Sequence, residues 1–185
     1  MDNQPVPFRR ADHGAKVLVV DDDALSRRSL RAMLERGHYQ VETAEAGPQA
    51  LAQLASCSPD LILLDIQMPE MDGLEVCQRI RQMPQGDLLP IIFLTGDERA
   101  DIHTLAFRAG GDDFLRKPVL SGELIVRIRS LMRLKRLQAD IQGERDSLLE
   151  LQKQREQLFQ FIVHDLKNPL SAIQVGLEQI GRAHV

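Results

Sequence analysis

The run Leu61-Ile62-Leu63-Leu64-Asp65 constrains the fold more than any other stretch of the chain. Four consecutive apolar residues do not alternate, so a strand made of them needs cover on both faces, and such strands belong to parallel sheets with helices on each side. The run stops at a carboxylate. Asp65 therefore falls at the carboxyl end of a strand, where open α/β sheets present their chemistry, and Pro69 and Gly73 turn the chain away behind it. Taken alone, a strand-end Asp is more often a helix cap or a turn former, so its meaning depends on what converges on it.

Lys16-Val17-Leu18-Val19-Val20 is a second buried strand and runs into Asp21, Asp22 and Asp23. Leu25, Leu30, Met33 and Leu34 follow at helical spacing, and Gly37 ends that helix. Tyr39 to Ala44 alternates like a half-buried strand, and Pro48 opens a helix at the first-turn position proline favours. Leu74, Val76, Cys77 and Ile80 mark the helix after Gly73. Pro90 to Gly96 is a strand with Thr95 at its end, Ile102, Leu105, Ala106 and Ala109 mark the next helix, and Asp113 to Pro118 is a short fifth strand carrying Lys117. Five alternations predict an α/β fold, a doubly wound five-stranded parallel sheet of flavodoxin-like order 2-1-3-4-5, ending near Arg133. In that order strands one and three are neighbours at the switch point, and their terminal carboxylates share one crevice.

A chain of 185 residues has room for such a domain and something smaller. The expected divisions are a flexible tail (1–15), the α/β domain (16–133), a linker helix (134–160) and a second helical segment (161–185). No apolar run reaches the roughly 20 residues that cross a bilayer, and the opening residues are polar, so no membrane and a cytoplasmic location are expected. Cys57 and Cys77 have no metal-ligand spacing. A net charge of -4 without a basic patch gives no reason to expect nucleic acid.

Clustered carboxylates in a cleft repel one another and require a counter-charge. A hard divalent ion, Mg²⁺ or Mn²⁺, suits oxygen ligands and lets a phosphoryl group approach an anionic site. Asp65 is then a carboxylate nucleophile able to form an acyl phosphate. Thr95 can donate to one phosphoryl oxygen and Lys117 can neutralise another.

Val19-Val20-Asp21-Asp22, Leu64 to Gly73, Leu94-Thr95-Gly96 and Phe114 to Pro118 together resemble the receiver domain of two-component response regulators, over about Lys16 to Arg133. The resemblance implies that Asp65 is phosphorylated, that Asp21 and Asp22 hold Mg²⁺ with Asp65 and Gln67 completing the metal set, and that Thr95 and Lys117 contact the phosphoryl group. It also implies that Phe114 occupies the position of an aromatic ring that swings inward with Thr95 on activation. Phenylalanine lacks the hydroxyl a tyrosine would offer there, and Gly96 replaces a more usual alanine and is expected to loosen its loop.

From Ser121 to Gln160 the chain has no proline. Leu124, Ile128 and Leu131 suit the last helix of the α/β domain. Leu134, Leu137, Ile141, Leu148, Leu151, Leu158 and Ile162 then recur at alternating three- and four-residue steps, a heptad seam that predicts a coiled-coil homodimer. Glu144 and Arg155 interrupt it. Five basic and five acidic residues are interspersed from Lys135 to Glu156, as on a solvated helix surface. The competing expectation is a solitary amphipathic helix folded onto the α/β domain.

Phe161 to Ile173, with His164-Asp165-Leu166-Lys167-Asn168-Pro169-Leu170 at its centre, resembles the phosphoacceptor box of sensor histidine kinases. The resemblance implies that His164 is phosphorylated, that Asp165 assists as a base and that Asn168 positions the phosphoryl donor. It leads to the expectation of a protein-histidine kinase with an N-terminal receiver, ATP being used only through a nucleotide domain missing from this sequence, so that the chain alone is not expected to act on ATP. A phosphodonor histidine protein and a downstream receiver or phosphotransfer protein are the implied partners. The alternative is a non-kinase phosphorelay or scaffold module in which the receiver controls dimerisation or partner binding. A HAD-type phosphohydrolase is disfavoured, because no Asp-x-Asp follows the Asp65 strand.

Overall fold

The computed structural model describes residues 14–84, 86–96 and 102–182, with side chains through Ile162. Elements follow in the order β1 (Lys16–Val20), α1 (Ala24–Arg36), β2 (Gln40–Ala44), α2 (Gly47–Cys57), β3 (Leu61–Asp65), α3 (Gly73–Arg81), a helical turn (Gly86–Leu88), β4 (Ile91–Thr95), α4 (Ile102–Arg108), β5 (Asp113–Arg116) and α5 (Ser121–Arg182). The strands form one parallel sheet in the order β2-β1-β3-β4-β5. The chain divides into two compact units, Met1–Arg136 and Leu137–Val185.

The apolar strands are buried because successive side chains alternate between two covered faces. Leu18, Val20, Ile62, Leu64, Ile91 and Phe93 enter a core with Ala50, Val76, Cys77, Ile80, Ile102 and Ala106, from α2, α3 and α4. Val17, Val19, Leu61, Leu63, Ile92 and Leu94 enter the opposite core with Leu30 and Leu34 of α1 and Leu124, Ile128 and Met132 of α5. β2, an edge strand, keeps the alternating exposure its sequence predicts.

Local chemistry sorts the acidic residues. Asp23 caps α1 by accepting from the Leu25 N–H (2.9 Å), and Asp72 caps α3 by accepting from the Glu75 N–H (2.8 Å). These two acids serve helices, which leaves Asp21, Asp22 and Asp65 at the sheet's carboxyl edge. Gly73 has a specific reason to lack a side chain: a Cβ there would collide with the carbonyl of Asp65, so the start of α3 lies directly against the end of β3. At the opposite edge of the sheet Arg81 donates to the carbonyl oxygens of Gly110 (2.8 Å), Leu89 (2.8 Å) and Gly86, and to Asp112 Oδ2 (2.9 Å). Asp112 Oδ2 in turn accepts from the Ile91 N–H (2.7 Å), so one guanidinium ties the end of α3 to the segments that lead into β4 and β5.

α5 is helical through Arg182. Within it Leu134, Leu137, Ile141, Leu148, Leu151, Leu158 and Ile162 all have exposed side chains, so the seam that the sequence marks is uncovered in the single chain. A coiled coil is not established by one helix. No described helix is long and apolar enough to cross a membrane.

Candidate functional site

Asp21 follows β1, Asp65 ends β3, Thr95 ends β4, and Lys117 follows β5. Adjacent parallel strands bring these positions to one edge, and the β1–β3 pairing puts the two carboxylates at the switch point. Asp21, Asp65 and Thr95 are the buried polar residues of the described chain, with 0%, 4% and 1% exposure. Lys117 Nζ donates to Asp65 Oδ2 (2.6 Å) and to Asp21 Oδ2 (2.7 Å), and its own N–H donates to the Thr95 carbonyl (2.8 Å). One lysine therefore links the ends of β1, β3 and β4 to that of β5.

Asp21 is held by three donors. Its Oδ1 accepts from the Asp23 N–H (2.9 Å), and its Oδ2 accepts from Ser26 Oγ (2.6 Å) as well as from Lys117. Asp65 is less restrained: besides Lys117, its Oδ1 has a long contact with the Gln67 N–H (3.4 Å). Burial pushes the Asp65 carboxyl above the usual carboxylate range, the hydrogen bond and charge of Lys117 pull it back, and the charge of Asp21 adds to the rise. For Lys117, burial opposes the ammonium, yet its bonds to Asp21 and Asp65 outweigh burial and hold it above the ordinary lysine range.

Asp21, Asp22 and Asp65 each offer a carboxylate oxygen within 4.8 Å of the others. When all are ionised, these three face one ammonium, an excess of two negative charges. An all-oxygen donor set with that excess fits a hard divalent cation such as Mg²⁺. Gln67 is exposed and lies beside the cluster through its backbone. Phe114 is half-buried, its ring edge-on to His103 (centroids 3.7 Å apart) and to Phe107 (6.1 Å), both from α4. A Cβ on Gly96 would meet nothing within 4 Å, so no contact demands the glycine there.

The family model described as the response regulator receiver domain matches residues 17–129. The chain belongs to the response regulator receiver family. As a receiver it is a two-component signalling domain of a kind phosphorylated on an aspartate and binding Mg²⁺ in its acidic pocket. It is similar to response regulator MprA of Mycobacterium ulcerans (strain Agy99), 44% identical over 125 residues that make up 68% of this chain and 53% of that protein. The chain thus spans about half the length of the curated relatives it matches. Among solved receivers it resembles the chemotaxis protein CheY4 of Vibrio cholerae, with 31% identity and a TM-score of 0.61 over 64% of this chain and 98% of that one. A CheY-like receiver domain protein of Methanospirillum hungatei JF-1 gives 26% identity and a TM-score of 0.63 over 68% and 98%.

These relatives correct one expectation. The chain was expected to be part of a protein-histidine kinase, a transferase reaching ATP through a further domain, and the curated proteins it matches are response regulators instead. The physical reason lies in the site: a nucleophilic carboxylate flanked by acids and a lysine at strand ends is built to accept a phosphoryl group. The histidine-box resemblance rests on Phe161 to Ile173, a short segment beyond the matched residues. The backbone there is helical, while the side chains of His164, Asp165 and Asn168 lie outside the described residues.

The sequence reading brought Asp21, Asp22, Asp65, Thr95 and Lys117 to one edge, and they meet there. It missed Ser26 and Arg27, one helical turn beyond the acids. Arg27 Nη1 donates to the carbonyl oxygens of Asp21 (2.7 Å) and Asp22 (2.9 Å). Their only sequence signal is position, since a side chain in the first turns of α1 can reach back to the β1–α1 loop.

Proposed function

We propose that this protein receives a phosphoryl group on Asp65 from a phosphodonor histidine protein and passes the resulting change to α5. An Asp65 oxygen attacks phosphorus, an acyl phosphate forms, and the P–N bond to the donor imidazole breaks with its electron pair returning to nitrogen. Asp21, Asp22 and Asp65, with Gln67 beside them, would hold the divalent cation, which supplies charge neutralisation when bound. Lys117 turns from the carboxylates toward a phosphoryl oxygen, and Thr95 donates to another. Phe114 follows Thr95 as the switch residue. The observation that carries this reading is the pair of hydrogen bonds that Lys117 Nζ donates to Asp65 and Asp21 in an otherwise acidic pocket.

The proposal extends to α5, where the exposed seam from Leu134 to Ile162 supports pairing with a second copy as a coiled coil. Domain limits of 16–133 for the receiver, 134–160 for the linker and 161–185 for the following helical segment suit that role. The resemblance around His164 supports a non-kinase phosphorelay role in which His164 is a second phosphoryl-carrying position, with Asp165 and Asn168 assisting. Its partner would be a receiver or phosphotransfer protein. Labelling the chain with radioactive acetyl phosphate and Mg²⁺ tests the central claim. Wild type is expected to take up acid-stable, alkali-labile label and Asp65→Asn to take up none, and undiminished labelling of Asp65→Asn would refute the assignment.

A further inference from the structure

The three acids of the pocket are fixed in different ways. Asp21 is buried and its carboxylate is held by Asp23, Ser26 and Lys117, and Asp65 is held by Lys117. Asp22 is exposed, and its carboxylate makes no hydrogen bond or ion pair among the described residues. Its backbone is restrained instead. Arg27 Nη1 bridges the carbonyl oxygens of Asp21 and Asp22, at 2.7 and 2.9 Å, which sets the two peptide planes from which the Asp22 side chain departs. The Arg27 side chain is only 17% exposed, and the other arm of its guanidinium reaches Glu45 Oε2 (3.5 Å) in the loop between β2 and α2. A planar fork with several donors suits this bridging better than an ammonium would.

We propose that Arg27 is the positioning residue of the metal-facing acids, acting on Asp22 through its backbone so that the carboxylate is aimed into the pocket before a cation arrives. The inference rests on the metal-dependent reading of the site given above. Partners that orient metal ligands commonly contribute about ten- to a hundredfold in affinity. Simple electrostatics has the opposite sign: deleting a nearby cation strengthens the field felt by a divalent ion and tightens its binding.

Mn²⁺ titration of the full chain, followed by electron paramagnetic resonance, separates the two. Arg27→Met is expected to weaken Mn²⁺ binding about tenfold. Its rate of Asp65 labelling by acetyl phosphate is expected to return to the wild-type value at saturating Mn²⁺, because the acids are present and only their aim is lost. Binding by Arg27→Met as tight as wild type, or tighter, overturns the proposal, and so does a labelling defect that saturating metal leaves in place. If circular dichroism shows Arg27→Met unfolded, Arg27→Gln is read by the same criteria. A wild-type chain with no saturable Mn²⁺ site defeats the metal reading itself, whereas normal wild-type binding with an unaltered variant defeats the role of Arg27 alone.

Discussion

Replacing Lys117 by methionine isolates what one cation does in the receiver. Methionine keeps most of the apolar stem and removes the two bonds of 2.6 and 2.7 Å to Asp65 and Asp21, whose side chains are 6% and 0% exposed. Breaking a buried pair by deleting one partner costs about 3–5 kcal/mol. The Lys117 side chain is itself 26% exposed, so the lower end, about 3 kcal/mol at neutral pH in the absence of divalent metal, is expected. The sign of the pH dependence follows from the carboxylates and the lysine separately. Asp65 already has a raised folded-state pKa, and loss of Lys117 removes the influences that lower it, so the variant binds that proton more readily folded than unfolded. Stability of the variant therefore falls as pH climbs through the folded-state titration of Asp65, and its deficit against wild type shrinks toward acid. Lys117 has a folded pKa above the ordinary lysine value, so its contribution is complete below that value and is lost as pH rises through the folded pKa, which narrows the deficit again at the alkaline end. Urea denaturation with EDTA across this range should show a plateau of destabilisation between two shoulders, and added Mg²⁺ should reduce the plateau by binding the folded state. A variant as stable as wild type in EDTA at neutral pH, or a deficit that widens on acidification, would refute the account.

Arg81→Met, at the other edge of the sheet, is expected to cost about 3 kcal/mol through loss of four charge-assisted hydrogen bonds, lowering the urea midpoint by about 1.5 M. Acetyl phosphate labelling of the folded variant should match wild type, and a labelling defect without a stability change would contradict the separation of the two edges. Paired changes on the exposed seam, Ile141→Lys with Leu148→Lys, are expected to convert a sedimenting dimer to monomer with no loss of Asp65 labelling. A wild-type chain that stays monomeric at high concentration would end the coiled-coil proposal.

The parts of the fold legible in the sequence were those written as uninterrupted apolar runs. β1, β3 and β4 are buried on both faces and carry no period, but each run is too short for a helix and is bounded by polar or turn residues, and their ends supply Asp21, Asp65 and Thr95 in the expected order. Lys117 was legible for the same reason, through the short strand before it. In sequence Gly73 has the signature of a turn residue, whereas the collision a Cβ would make with the Asp65 carbonyl shows that close approach of α3 demands it. Ser26, Arg27 and Arg81 were not legible, because a polar residue on a helix face has the same sequence signature whether it meets water or a carbonyl. In α5 the heptad spacing was plain, but a seam records only that cover is needed and does not identify the cover. The kinase expectation failed on a related difficulty: a short motif carries chemistry only with its surroundings, and the surroundings matched here are those of response regulators.

The site and α5 are joined inside the receiver through β5. Lys117 stands immediately after that strand, and its N–H binds the Thr95 carbonyl, so the ends of β4 and β5 are tied together at the lysine. β5 contacts helices on both sides. The Phe114 ring packs against His103 and Phe107 of α4, while Asp113 accepts both contacts of 3.1 Å from Arg127 of α5, and Leu115 shares a core with Leu124 and Ile128. Contiguity is a weaker warrant than measured coupling, since transmission requires an element with two arrangements that both sites bias. β5 is placed for that role: it is short, it lies at the sheet edge, its side chains are divided between α4 and α5, and Lys117 of the acidic pocket follows it directly.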